Sequence, residues 1–173
     1  MKHSNPKSLL LLFLSILTLL LGGCQSAETS KAIAPFSDAT WEYTRDDILS
    51  YEGENYTTYD SVYGGICYTY PKTYENYQGT IKYMLDEEDR LMCIAWAYSS
   101  EDEEELYSLY EFISQSVYEQ NGDTAYETDK PTNYGNVWRR EEGNIILSTM
   151  LTSDLKALQY AYLHPDVSNN KEE

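Results

Sequence analysis

Apolar residues recur at helical spacing in one long segment of the chain, roughly residues 101–120. Four of them lie three or four positions apart and predict one buried stripe: Leu106, Leu109, Ile113 and Val117. Ser100 followed by Glu103 is typical of a helix N-terminus. Asn121-Gly122 is typical of a left-handed C-terminal cap. The acids of the first turns, 101–105, suit the helix dipole and indicate a solvated helix start.

A shorter helix is predicted by the same signals nearer the beginning of the chain. Thr44 with Asp47 forms a capping pattern, and Gly53 stands where a left-handed cap is expected. These signals place the helix at roughly residues 45–52.

Alternating apolar and polar residues after each glycine predict four strands per helix, with Gly and Pro at the turns. The first set is predicted at 56–63, 66–70, 80–85 and 91–98. The second set is predicted at 125–129, 136–140, 145–151 and 155–163. Predicted turns include Gly64-Gly65, 71–79 and the charged run Asp86-Glu87-Glu88-Asp89.

Two of the predicted hairpins match each other in sequence. MLDEEDRLMCIAWAY, residues 84–98, aligns with MLTSDLKALQYAY, residues 150–162, so that Trp96 matches Tyr160. The turn is five residues in the first copy and three in the second. Because side chains alternate with a period of two, an even difference keeps each residue on its own face. The pattern therefore indicates a duplicated unit.

The predicted fold class is α+β, with two tandem units of one helix and a four-strand antiparallel meander and with helices on one face of the sheet. The caps, Gly53, Gly122 and the closing LxxIxWAY and LxxLxYAY strands resemble the β-lactamase-inhibitor-protein-like fold over about 41–164. The resemblance implies a small exported protein or lipoprotein whose exposed sheet face grips a protein partner. The units would span about 41–99 and 100–164, with a disordered tail at 165–173.

Aromatic residues fall on one predicted face of both meanders. Hairpin loops of five and three residues would pair Leu85 with Leu91 and Leu151 with Leu155. Tyr, Trp, Met and Arg are enriched at protein interfaces. The predicted interaction surface is Tyr68, Tyr70, Trp96, Tyr98, Trp138, Arg140, Tyr160 and Tyr162. The alternative is ordinary half-buried strand tyrosine, since tyrosine is a good strand residue.

The N-terminal residues predict export and lipid anchoring. Lys2 and Lys7 precede a 13-residue apolar run, Leu9 to Leu21, which is too short for a membrane span of about 20 residues and typical of a signal peptide. The run ends in LGGC, which resembles a lipobox, so residues 1–23 would be removed and Cys24 lipidated. Residues 24–40 would be a flexible tether. The alternative is an ordinary secretory signal.

Charge excludes several function classes. The chain has 12 basic and 29 acidic residues; without Lys2 and Lys7 it has 10 basic residues and a net charge of −19. Such a balance argues against nucleic-acid binding, which needs clustered Lys and Arg, and against a domain lying on anionic lipid.

Catalytic and metal-binding residues are few. His164, before Pro165, is the single histidine after the signal, and the sequence has no phosphate loop or paired CxxC motif. We expect no catalysis, no cofactor and no metal; the rival interpretations are a hydrolase that uses His164 and adventitious calcium at residues 86–89. Cys67 and Cys93 lie on strands two apart, which is too far for a disulfide, and are expected to be buried free thiols.

The sequence thus predicts a lipid-anchored protein on the extracytoplasmic face of the cell membrane. Its domain would act as a protein-interaction or envelope-binding module through the aromatic face. The alternative function is binding of a glycan or small ligand by stacked aromatic rings on that same face.

Overall fold

A computed structural model describes residues 31–130 and 133–168. Within these residues the chain forms two α-helices, eight β-strands and a final 3₁₀ turn. In chain order these are α1 (Arg45–Glu52), β1 (Thr57–Asp60), β2 (Gly64–Tyr74), β3 (Tyr77–Asp86), β4 (Leu91–Ser99), α2 (Glu103–Asn121), β5 (Tyr126–Lys130), β6 (Asn133–Trp138), β7 (Ile145–Leu151), β8 (Lys156–Leu163) and the 3₁₀ turn (Pro165–Val167).

All eight strands belong to one antiparallel sheet in the order β1-β2-β3-β4-β8-β7-β6-β5. The two meanders join at the centre, where β4 and β8 pair over seven positions, from Cys93 opposite Leu163 to Ser99 opposite Ala157. The hairpins that match in sequence therefore meet, and Trp96 stands directly opposite its counterpart Tyr160.

The predicted fold class is wrong. Two tandem helix-plus-four-strand units would each close their own sheet, whereas the structure has one continuous eight-stranded sheet with two helices. The physical reason is the β4–β8 ladder, which satisfies the backbone groups of both closing strands and merges the two meanders. Helix α1, eight residues long with only Ile48 buried, is too small to give the first meander a core of its own. The molecule is mostly sheet.

Local capping signals explain where the helices begin and end. Thr44 and Asp47 form a reciprocal capping box at α1, as predicted. At α2 the N-cap is Asp102 and not Ser100, because the Asp102 carboxylate accepts from the backbone N–H groups of Glu104 and Glu105. Gly53 and Gly122 end the helices with positive φ angles of 89° and 78°.

The predicted loop at 71–79 is wrong, since β2 and β3 continue through it. Tyr74 pairs with Tyr77 across a two-residue turn, Glu75-Asn76. Both turn residues have positive φ angles, 46° and 68°, as tight hairpin turns require. Pro71 lies within β2. The long hairpin brings Tyr74 to the central strand β4, where its ring and that of Trp96 meet edge to face with centroids 5.4 Å apart.

One face of the sheet carries the main core. Ile48 of α1 and the stripe of α2 pack on it. The segment before α1 packs there as well, with Ala34, Phe36 and Ala39 buried. A tether reaching residue 40 is therefore wrong, because the folded part already includes residues 34–39.

The tail prediction is also wrong for residues 165–168. The Asn144 side chain donates to the Ser168 carbonyl at 2.8 Å, and the Asn144 backbone N–H donates to the Ser168 hydroxyl. These bonds fix the segment against the start of β7. Residues 1–30, including the predicted signal and Cys24, lie outside the described residues. Within residues 31–130 and 133–168, neither helix has the length and apolar character that a membrane crossing needs.

Candidate functional site

The predicted interaction surface is not exposed. Its aromatic members lie in the core beneath the helices, with Trp96 fully buried and Trp138 only 1% exposed. Tyr98 is half-buried and donates to Glu105 at 3.0 Å. The buried members are Tyr68, Tyr70, Trp96, Trp138, Tyr160 and Tyr162. The prediction that these residues form an accessible aromatic face is wrong, and so is ligand stacking on that face.

The register of the two matching hairpins reverses the faces. In the first hairpin a bulge lets Leu85 pair with Leu91 while Met84 pairs with Cys93. In the second hairpin Leu151 pairs with Lys156, so the loop has four residues and not three. A one-residue change in either place moves every following side chain to the opposite face. Because both hairpins changed, both sets of aromatic residues turned inward together.

The buried aromatic rings form a bonded network with a structural role. The Trp96 indole donates to the Lys72 carbonyl at 3.0 Å, and the Trp138 indole donates to the Gly122 carbonyl at 3.1 Å. The hydroxyls of Tyr160 and Tyr162 lie 2.6 Å apart. Burial, followed by the nearby Tyr162, raises the pKa of Tyr160 far above its usual range. These phenols stay neutral and hold the core together.

The opposite face of the sheet is the larger candidate surface, and we call it the open face. Its residues are identified by the strand pairing, since directly paired residues project to the same side. Three rows cross the sheet: Tyr59, Cys67, Met84, Cys93 and Leu163; then Thr57, Thr69, Lys82, Ala95, Ala161, Ile146, Val137 and Tyr126; then Pro71, Thr80, Ala97, Gln159, Ser148, Gly135 and Thr128. Ser99, Ala157 and Met150 begin a fourth row.

The composition of the open face differs from that of the whole chain. None of the residues in these rows is Asp or Glu, although the chain has 29 acidic residues. Lys82 is the only charged residue in the rows. Both helices lie on the other face, where their acidic side chains are also found. The described part of the chain therefore confines its acidic side chains to the other side and to its ends and turns, and the paired rows of the open face carry no carboxylate.

The shape of the open face follows from its side-chain sizes. The central strands β4 and β8 contribute small residues, including Ala95, Ala97 and Ala161. The outer strands contribute long ones, with Tyr59 47% exposed, Tyr126 61% exposed and Met150 53% exposed. Ala95 and Ala161 are buried, at 0% and 2% exposed. Ala97 is half-buried and is the small residue that reaches the surface in the middle of the sheet, with taller apolar side chains on the outer strands.

A cavity of about 640 Å³ lies between residues 31–35, the end of α2 and the β6–β7 turn. Arg140 and Tyr162, both from the predicted surface, line it together with Trp41 and Asn121. The Arg140 guanidinium lies 5.8 Å from the centre of the Tyr162 ring. It also donates to Asn121 at 3.1 Å. The Trp41 indole donates to the Glu142 carbonyl at 3.1 Å. The size falls within the range of small-molecule sites.

The remaining candidate chemistry has structural explanations. His164 caps the 3₁₀ turn, since its Nδ1 accepts from the Asp166 N–H at 3.1 Å. In the acidic turn, Asp86 accepts from the N–H groups of Glu88 and Arg90, both at 2.9 Å. Burial opposes ionisation of Asp86, but these bonds and the Arg90 guanidinium outweigh it and lower the pKa of Asp86.

Cys67 and Cys93 are buried free thiols, which confirms that prediction. Across residues 31–130 and 133–168, no three side chains of His, Cys, Asp or Glu are grouped in a way that could hold a metal ion.

Comparison with known proteins adds no relative. No family model, no curated protein and no solved structure matches the chain. The family resemblance therefore stays a prediction. The open face was missed in the sequence because its signal is an absence of acids, which becomes visible only when the strand register groups residues from eight strands.

Proposed function

We propose that this chain is an extracytoplasmic lipoprotein that binds a protein partner through its open face. Lipid attached at Cys24 would hold it on the cell membrane, because the basic residues, the short apolar run and LGGC together form the pattern of a lipoprotein signal. Two or more acyl chains give a stable anchor.

The observation that carries the binding proposal is the acid-free open face on a strongly acidic chain. Desolvating charges opposes association, so a surface without carboxylates is the part of this molecule that a partner can cover at the lowest free-energy cost. Tyr59, Tyr126 and Met150 are of the residue types enriched at interfaces. They remain substantially exposed on this face.

The shape of the face indicates the chemistry of the partner. A small side chain such as Ala97 between larger ones leaves room for a large side chain of another surface. We therefore expect an extracytoplasmic protein that presents a large apolar side chain, such as Leu or Phe, to the region around Ala97. Lys82 would favour a partner with one carboxylate near its rim.

Site-specific cross-linking in cells tests this proposal. A photoreactive side chain at Met150 should capture one defined partner, whereas the same group at Phe112, which is 51% exposed on α2, should not. Gln159→Glu, next to Ala97, should abolish capture from Met150 without changing the thermal unfolding temperature. Equal capture from both positions, or capture that survives Gln159→Glu, would show that the open face is not the binding surface.

The anchor is tested separately. The mature protein should partition with membranes and carry an acylated N-terminal Cys24 by mass spectrometry. Cys24→Ala should remove the acyl mass. An unmodified mature N-terminus would contradict lipid anchoring and leave the binding proposal to be judged by cross-linking.

The cavity at Arg140 favours a second candidate function, binding of a glycan or another small polar ligand. A guanidinium, two amides and two aromatic rings are the groups that typically orient sugars and small acids. Trp96 and Trp138 are buried, so Trp41 should report ligand binding by fluorescence. Cell-wall saccharides should quench that signal, and Trp41→Phe should abolish the response; an unchanged spectrum across the saccharides would exclude them as ligands.

A further inference from the structure

Three sulfur-bearing side chains stand side by side on the open face. Cys67 of β2 pairs with Met84 of β3, and Met84 pairs with Cys93 of β4. Directly paired residues project to the same side of a sheet, which places the thioether in the row between the two thiols. Met84 packs against the small cluster that contains Cys93. The row thus brings a soft ligand set together from three separate strands.

The strand spacing excludes a disulfide but suits a bridging ion. The two neighbours of a strand residue lie about 4.5 and 5.5 Å away, so the Cα atoms of Cys67 and Cys93 are roughly 10 Å apart. Disulfides need Cα atoms within about 7 Å. A metal replaces one S–S bond of about 2 Å by two metal–sulfur bonds of about 2.3 Å each. A linear arrangement would place the two thiolate sulfurs about 4.6 Å apart, and a three-coordinate one about 4 Å apart. The reach therefore extends to roughly 9–9.5 Å, within about 1 Å of the span of the row.

The surroundings of the row favour a soft ion over a hard one. None of the residues paired in the open-face rows carries a carboxylate, so Mg²⁺ or Ca²⁺ would find no charged oxygen ligand there. The Cys67 thiol donates to the Tyr68 carbonyl at 3.9 Å. Tyr59 is paired with Cys67 in the row, and Tyr63 packs against the small cluster that contains Cys93. Lys82 is the nearby cation, and its charge favours the thiolate form of both cysteines.

We propose that Cys67, Met84 and Cys93 bind one Cu(I) ion. Thiolate and thioether sulfur are the ligands that select Cu(I). On binding, two S–H bonds break, two protons leave to solvent, and two copper–thiolate bonds and one copper–thioether bond form. No electron is transferred. The metal-free site is neutral and Cu(I) carries +1; after two protons leave, the complex carries a charge of −1.

The proton release gives the site a pH signature. An ordinary thiol has a pKa of about 8.5 and is protonated at neutral pH. An ion that binds both cysteines as thiolates therefore displaces two protons. The apparent affinity for Cu(I) should rise by about 100-fold per pH unit in this range.

The experiment uses the full chain with Cys24→Ser, so that Cys67 and Cys93 are its only thiols. Cu(I) is supplied without oxygen from a coloured competing chelator, and the complex is weighed by native mass spectrometry. We expect one copper per chain, with a mass gain of one copper less two protons. Binding to the chain should also protect both thiols from alkylation.

Ligand variants separate a built site from adventitious thiol binding. Cys93→Ser should lower the affinity for Cu(I) by at least ~100-fold. Met84→Leu, which keeps the shape of the side chain, should lower it by about 10-fold. Met150→Leu changes an exposed thioether on the same face outside the row and should leave the affinity unchanged. Circular dichroism and thermal unfolding confirm that each variant is folded.

Several results would overturn the proposal. These are a stoichiometry other than one, binding equal in Met84→Leu and the parent chain, a pH dependence of one proton or none, or Zn²⁺ bound as tightly as Cu(I). If Cys93→Ser does not fold, Met84→Leu and the pH slope still decide the matter. None of these measurements depends on the partner-binding proposal, which cross-linking tests alone.

Discussion

Tyr70 and Tyr83 meet edge to face in the core, with ring centroids 6.2 Å apart, yet their hydroxyl groups differ in bonding. The Tyr83 hydroxyl donates to Glu52 at 2.6 Å and accepts from Ser37 at 2.8 Å. The Tyr70 hydroxyl is buried and has no hydrogen-bond partner within the described part of the chain. The hydroxyl of Tyr83 therefore stabilises the fold, whereas the buried and unbonded hydroxyl of Tyr70 opposes it.

Tyr83→Phe should lower the free energy of unfolding by about 1–3 kcal/mol, because it leaves the buried Glu52 carboxylate with one donor fewer. Tyr70→Phe removes an unpaired hydroxyl and should be neutral or stabilising by up to about 1 kcal/mol. Urea denaturation of both variants measures the difference. A Tyr70→Phe variant as destabilised as Tyr83→Phe would mean that the Tyr70 hydroxyl is bonded in solution.

Trp96→Ala should destabilise the fold and not merely a surface. Its indole is fully buried in the main core, so the cavity should lower the free energy of unfolding by about 3–5 kcal/mol. Tyr118→Ala, at a position 48% exposed on α2, is the control and should change stability by less than about 0.5 kcal/mol. Equal stability of the two variants would contradict the burial of Trp96 and support the predicted exposed aromatic face.

Alanine substitutions at two glycines distinguish the cost of backbone strain from the cost of steric overlap. Gly122 has a φ of 78° and open space where a Cβ would lie, so Gly122→Ala should lower the unfolding free energy by about 1–2 kcal/mol. Gly143 has a φ of 113°, and a Cβ there would lie 1.9 Å from the Leu163 carbonyl oxygen. Gly143→Ala should therefore be worse, on the order of 4 kcal/mol. Thermal unfolding of both variants measures the two losses of stability. Equal losses would contradict this prediction.

Asp86 should contribute to acid sensitivity. Because its folded-state pKa is lowered, its contribution is present above the unfolded pKa of about 3.9 and is lost as the pH falls through the folded value. Asp86→Asn should therefore be less stable at pH 7 by about 1–2 kcal/mol, and the difference from the parent chain should vanish in acid. Asp154→Asn, in an exposed loop, is the control and should follow the parent chain at every pH.

Local signals predicted the elements well. Thr44, Asp47 and Gly53 placed α1 at the residues where the structure has it, and Gly122 ended α2. All eight strands were anticipated near their observed positions. These features depend on hydrogen bonds and dihedral preferences within a few residues, so the sequence carries them directly. The two free thiols were anticipated from the strand order within one meander, which places Cys67 and Cys93 two strands apart.

The direction of the side chains was not predictable in the same way. The bulge at Leu85 and the four-residue loop before Lys156 each shift the register by one residue. Nothing in the alternation of residues 84–98 distinguishes the two registers, because both faces carry apolar side chains. The choice depends on which set fills the space under the helices, and the large rings of Trp96 and Tyr160 fill it better than alanines do.

The sequence by itself determined the helices, the strands, the acidic charge and the signal pattern that ends at Cys24, because each arises from neighbouring residues. Only the tertiary structure decided that β4 pairs with β8, that the aromatic side chains face inward, and that an acid-free surface with Cys67, Met84 and Cys93 in one row lies on the other side. Those outcomes rest on contacts between distant strands, where packing volume and backbone pairing select one register from several that the local pattern allows.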